Sequence, residues 1–307
     1  MHFTKLLIIF EINSAIEMRF ASHICLIFTL LLISLSASSQ VKRGVVIGIG
    51  DYPKEYGWSK IHGNNDVGLI KETLREQGFM DQNIVTLIDS EATYDAIMLA
   101  FQRLLEVSAK DDVIYIHFSG HGQRITDVDG DEKDDRLDEA WIPYDARKSY
   151  QKGVYEGERH ITDDWLNGFL TSLRIKVGTK GKIIVVADAC HSGSGTRGME
   201  SEECSRGVSD VFSLPYAAPN IIRKQNRVEW LYVAACQDYE TNFEYRDDDG
   251  QYYGSLSYSI AESSGLLASA SYRSAIEIWK KSMKTKEVYP QNLDDEGRPT
   301  EMNAELF

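Results

Sequence analysis

Lys182–Gly195 reads KIIVVADACHSGSG. The apolar run from Ile183 to Ala187 has the length and β-branched content of a buried strand, and it ends in Asp188, Ala189, Cys190 and His191 before giving way to glycine and serine. A cysteine presented at such a strand end suits three roles: a nucleophile, a metal ligand beside His191, or half of a disulfide. Working outward, short apolar runs alternate with amphipathic segments. VVIGIG (45–50), NIVTLID (83–89), DVIYIHF (112–118), KIIVVA (182–187) and EWLYVAAC (229–236) read as strands. Helices are expected from Asp66 to Gln77, from Thr93 as cap to Leu105, after the cap Thr162, around Leu256–Ser263 and over Tyr272–Met283. That alternation predicts an α/β fold with a mostly parallel sheet and crossover helices. In such sheets sites form at the carboxyl ends of strands, where both HFSGHG (117–122) and DACHSG (188–193) fall.

The N-terminus differs in kind. ICLIFTLLLISL (24–35), preceded by Arg19 and followed by SASSQ, is short for a membrane span and fits a signal peptide over residues 1–39 cut before Gln40, with Met18 serving as a start. The remaining residues, 40–307, are expected to form one domain, exported and monomeric. The net charge of -14 lies wholly on that part and argues against nucleic acid as a partner, favouring cationic ligands such as Lys- or Arg-bearing peptides. Cys25 would leave with the signal, and Cys190, Cys204 and Cys236 would remain. An odd number leaves at least one free thiol within a single chain, and their spacing fits no zinc pattern. Cys204 and Cys236 are able to pair, while Cys236, ending an apolar strand, equally suits a buried free thiol.

A thiol attacks an amide carbonyl as thiolate, and an imidazole nearby takes its proton and later returns one to the leaving amine. His121 sits between Gly120 and Gly122, which lets the backbone bend sharply and a substrate approach closely. The N–H groups of Gly122 and Cys190 are the candidate oxyanion donors.

HFSGHG and DACHSG, in this order and at these strand ends, resemble the caspase-like cysteine peptidases of the metacaspase branch, from Val45 to about Tyr289. The resemblance implies a caspase-like three-layer α/β sandwich and a Cys/His dyad, Cys190 as nucleophile and His121 as base, cleaving after Arg or Lys. It implies a basic-side-chain pocket from Asp66, Ser119 and Asp188, with Gly63 standing where many relatives carry cysteine. Asp138, Asp163 and Asp164 correspond to residues that hold an activating calcium in some relatives, but Arg197 replaces a further ligand. No cofactor is therefore required, and calcium is at most an activator. DVDGDEKDDRLDEAWIPYD (127–145) carries nine carboxylates, lacks the glycine of an EF-hand at Glu132, and reads chiefly as a solvated acidic loop. Arg197, Arg206, Arg223, Lys224 and Arg227 lie in a polar, exposed loop where an enzyme of this specificity would cut itself. The alternative is a non-catalytic caspase-like module that binds peptides, against which the presence of both Cys190 and His121 argues.

Overall fold

The computed structural model describes residues 40–307 except 131, 133–134, 191–204, 209, 217–228, 238–239, 287–291 and 297–302. The chain separates into Met1–Gln40 and Val41–Phe307, and the description concerns the second unit. The signal-peptide expectation lies outside the described residues, as do His191, Arg197 and Cys204. Among the described residues no helix is long and apolar enough to cross a membrane.

Five parallel strands form the centre: β1 (Lys42–Gly48), β2 (Ile84–Ile88), β3 (Val113–Ser119), β7 (Lys182–Asp188) and β8 (Leu231–Ala234), in the order β8-β7-β3-β1-β2. Asp294–Glu296, which we label β11, adds an antiparallel edge beside β8. Period-two alternation divides each central strand between two cores. Val45, Ile47, Ile114, Ile116, Ile183 and Val185 face α2 (Tyr94–Val107) and α3 (Asp163–Val177). Val46, Val113, Ile184 and Val186 face α1 (Gly63–Glu76), α4 (Ser255–Glu262), the short α5 (Ser264–Leu267) and α6 (Tyr272–Lys286). The result is the expected three-layer α/β sandwich. Thr93 and Thr162 cap α2 and α3, each side chain accepting from the backbone N–H three residues on, at 3.3 Å.

Two smaller sheets extend the carboxyl end of the central one. β4 (Gly122–Thr126), β5 (Leu137–Trp141) and β6 (Ile161–Thr162) form an antiparallel sheet, and β9 (Glu244–Arg246) pairs with β10 (Tyr252–Gly254). The first corrects the reading of 127–145 as a solvated loop, since β5 lies within it and β4 ends at its start. Asp127 closes the β4–β5 turn by accepting from Asp129, Gly130 and Glu132 N–H groups at 2.9, 2.6 and 3.2 Å, and Asp127 and Asp138 are buried.

Candidate active site

Register brings the site together. Gly48, Ser119 and Asp188 are direct partners across β1, β3 and β7, so the motifs of strands distant in sequence end side by side. At this level α1 begins with Gly63, where a Cβ would lie 2.5 Å from the Ser119 carbonyl and 2.7 Å from that of Ile49. That close approach carries Asp66, one turn further along α1, to the ends of the strands.

His121 is buried between the central sheet and β4. Its Nε2–H donates to the Ser59 carbonyl at 2.9 Å, which fixes the proton on Nε2 and leaves the lone pair on Nδ1; Nδ1 has no hydrogen-bond partner among the described residues. The ring stacks on Trp58 at 5.0 Å and lies against Tyr52 at the same centroid distance, while the Tyr52 hydroxyl accepts from the His121 N–H at 3.0 Å and donates to the Ile142 carbonyl at 2.9 Å. A Cβ on Gly120 would meet that hydroxyl at 2.8 Å, so the histidine turn needs its first glycine for space. Burial pushes the imidazole down to about 4, against the opposing pull of Ser59 and Glu244, so His121 is neutral at pH 7. Tyr52, Trp58 and Ser59 belong to the loop after β1 and were not anticipated; a tryptophan and a tyrosine in a short polar loop were the available signal.

Cys190, two residues beyond β7, is buried. Its thiol donates to the Glu240 carbonyl at 2.9 Å, and it makes no hydrogen bond to His121 Nδ1. Cys236 is a buried free thiol, raised well above its ordinary value by its hydrogen bond with Cys190 and by burial.

Asp66, Ser119 and Asp188 do converge, and they converge on Arg206. For Arg206 this corrects the expectation of an exposed loop residue: its side chain is 0% accessible. Its Nη1 donates to Asp66 Oδ2 at 2.8 Å, to the Ser119 hydroxyl and to the Asp188 carbonyl at 3.3 Å, and lies 3.6 Å from Asp188 Oδ1. Nε and Nη2 donate to Glu244 Oε1 at 3.1 and 2.9 Å. Asp188 is held from behind by Asn242 Nδ2 at 2.8 Å and by the N–H and hydroxyl of Ser257, both at 2.7 Å. Burial would raise Asp188, but Arg206, Asn242 and Ser257 outweigh it and hold its carboxyl below the usual range. Asp66, where burial prevails over Arg206, is pushed up to about 6. Glu244, Asn242 and Ser257 were not foreseen, since nothing local marks them.

The backbone of Arg206 completes the picture. Its carbonyl accepts from the N–H groups of Gly122 and Cys190, both at 3.2 Å, the two groups expected to serve as oxyanion donors. Its N–H donates to the Asn242 carbonyl at 3.0 Å. Gly207 lies so close to Cys190 that an added Cβ would sit 2.8 Å from the cysteine Cβ. Beyond it the chain runs along β4, where Phe212 donates its N–H to Arg124 and accepts from Thr126, and its buried ring packs on His160 at 4.5 Å.

The acidic cluster beside β5 has a different character. Burial first, then Asp163 and Asp164, push Asp138 up to about 8, and burial with Asp164 pushes Asp163 to about 7. One carboxylate oxygen on each of Asp138 and Asp163 is buried without a hydrogen-bond partner among the described residues. These donors suit a hard cation chemically. Among the described residues no group of three His, Cys, Asp or Glu side chains is arranged to hold a metal ion.

Residues 42–197 match the model of the metacaspase, peptidase C14 domain. The chain is 31% identical to Metacaspase III c of Phaeodactylum tricornutum over 163 residues, covering 52% of this chain and 44% of that protein. It is 30% identical to Metacaspase-7 of Arabidopsis thaliana over 161 residues, 50% of this chain and 35% of the relative. It thus spans less than half the length of these relatives. Among solved structures, protein GSU0716 from Geobacter sulfurreducens superposes with a TM-score of 0.56 at 20% identity, over 83% of this chain and 92% of that one. Caspase-1 from Spodoptera frugiperda does so with 0.55 at 10% identity, over 84% and 86%, a likeness of fold alone. The fold is therefore caspase-like, and the chain belongs to the metacaspase family.

Proposed function

We propose that this protein is an exported, monomeric cysteine endopeptidase that cleaves proteins and peptides after Arg or Lys and processes itself. The single observation that carries the reading is the pose of Arg206: guanidinium among carboxylates, carbonyl under two backbone donors, and the following glycine against the cysteine. A substrate in this pose has its scissile carbonyl held by the donors that would stabilise an oxyanion.

In the reaction, the Cys190 thiol leaves Glu240, His121 Nδ1 takes its proton, and the thiolate adds to the carbonyl carbon. The oxyanion is held by the N–H groups of Gly122 and Cys190. Collapse breaks the C–N bond, His121 protonates the leaving amine, and a thioester remains on Cys190 until water, deprotonated by His121, hydrolyses it. Thiolate and imidazole supply nucleophile and base without a cofactor. Calcium, if it binds through Asp138, Asp163 and Asp164, acts as an activator only. Activity on an Arg peptide is accordingly expected to persist in EGTA, and its complete loss, restored by added calcium, would show that the acidic cluster closes around an ion the peptidase needs.

Self-processing is expected at Arg206–Gly207. The two fragments should stay associated, because β7 lies before the cut, β8 after it, and the two pair in one sheet. Intact-mass measurement should find a break between residues 206 and 207 in wild type and none in Cys190→Ala. A stable, uncut wild-type chain that nevertheless cleaves added peptides would show that Arg206 occupies the pocket as an inhibitor rather than as a substrate.

A further inference from the structure

Asp66, Ser119 and Asp188 embrace only one end of the Arg206 guanidinium. The other edge belongs to Glu244, a residue that neither the strand-end motifs nor the family resemblance assigns. Its Oε1 receives both Nε at 3.1 Å and Nη2 at 2.9 Å, and the side chains of both residues are inaccessible to solvent. Glu244 opens β9 opposite Gly254 of β10, whose N–H donates to Asp66 at 3.0 Å, so the hairpin ties the two carboxylates to one frame.

His62 fixes Glu244 from behind. Its N–H donates to Oε1 at 2.7 Å and its ring Nδ1 lies 2.6 Å from Oε2. The ring stacks on Tyr252 at 5.0 Å, with the planes 19° apart. The carboxylate therefore has little freedom to follow a cation of another shape.

Shape is what separates the two basic side chains. Arginine presents Nε and Nη2 along one edge and Nη1 at the tip, whereas lysine carries a single ammonium on a stem one bond shorter and has nothing in the place of Nε or Nη2. The contacts of Asp66, Ser119 and Asp188 are made to the tip. The contacts of Glu244 are made to donors that lysine lacks.

We propose that Glu244, positioned by His62, is a specificity residue that makes this peptidase prefer arginine over lysine at the cleaved position. The proposal rests on the Arg/Lys pocket proposed above and narrows it. Hydrogen bonds to charged groups contribute about 1.5–3 kcal/mol, which corresponds to roughly a 10- to 100-fold preference.

The test uses the full chain and two fluorogenic peptides identical except for Arg or Lys at the cleaved residue. Wild type is expected to show kcat/KM roughly 10- to 100-fold higher for Arg. Glu244→Gln should lose most of that factor on the Arg peptide and lose clearly less on the Lys peptide, so that the Arg-to-Lys ratio falls toward one. His62→Phe keeps an aromatic ring to stack on Tyr252 and removes the bond to Oε2. It should move the Arg-to-Lys ratio in the same direction by a smaller factor, which a general loss of structure would not do.

A wild-type ratio near one overturns the proposal without any variant, so the test survives if a substitution prevents folding. A ratio unchanged in Glu244→Gln, with both peptides still cleaved, overturns it while leaving the basic pocket intact. Wild type that cleaves neither peptide but cleaves after another residue removes the pocket assignment and this inference with it.

Discussion

Cys190→Ala is expected to lower turnover of an Arg peptide by at least about 10,000-fold, and His121→Ala nearly as far, because each removes a member of a unit whose losses are not additive. The arrangement around His121 explains why its loss is so costly. With Nε2 tied to Ser59 at 2.9 Å and Nδ1 unpartnered among the described residues, the ring is a preformed neutral base needing no tautomer change to take the thiol proton. Neither change removes a group that holds a guanidinium or the scissile carbonyl, but in uncut Cys190→Ala the chain's own Arg206 competes with the peptide for Asp66, Ser119, Asp188 and Glu244, so the affinity read there is a lower bound. The measurement is kcat and KM for wild type and both variants, with peptide affinity measured on Cys190→Ala directly. Turnover by Cys190→Ala within tenfold of wild type would remove the nucleophile assignment. A wild type that binds Arg peptides and never turns them over would instead favour the non-catalytic, peptide-binding module.

Much of this site is legible in the sequence because it is built at the ends of strands. β3 and β7 are continuous apolar runs, so their last residues are easy to find, and parallel register then places Ser119 beside Asp188. Helix caps at Thr93 and Thr162 are local signals and read as such. Other parts depend on contacts that no local pattern encodes. GQRIT and LDEAW are short, mixed-polarity strands of β4 and β5 set within an acidic stretch, and their pairing is fixed by each other. Glu244 and His62 meet across 182 residues, and Arg206 and Asp66 across 140. Arg206 is one of several basic residues in its loop. Gly207, which follows it, fits against Cys190 because it lacks a Cβ, but Arg197 is also followed by a glycine, so the sequence alone does not single Arg206 out.

The second large effect concerns stability. Arg206 is the cation that faces three buried carboxylates, Asp66, Asp188 and Glu244, and Arg206→Ala leaves them to repel one another in a site closed to water. Removing one partner from a buried ion network costs about 3–5 kcal/mol, since the residual charges remain desolvated. The sign of the pH dependence follows from the same groups. With Arg206 present, Asp188 and Glu244 are held below the ordinary carboxylate range, so their contribution is present above that range and lost as pH falls through it. Without Arg206 the strongest attraction opposing burial is lost and all three shift upward, although Asn242 and Ser257 still hold Asp188, His62 still holds Glu244 and Ser119 still holds Asp66. Each carboxylate is then tolerated when protonated, and stability is lost as pH rises. The difference in Tm between the two proteins should therefore be larger at pH 8 than at pH 5. Thermal unfolding is best followed in the Cys190→Ala background, where neither chain is cut. A difference that stays constant or shrinks from pH 5 to pH 8 would mean that water or another cation enters the emptied pocket and takes the place of the guanidinium. The pocket would then be a preformed receptor for any incoming basic side chain rather than one held together by its own loop.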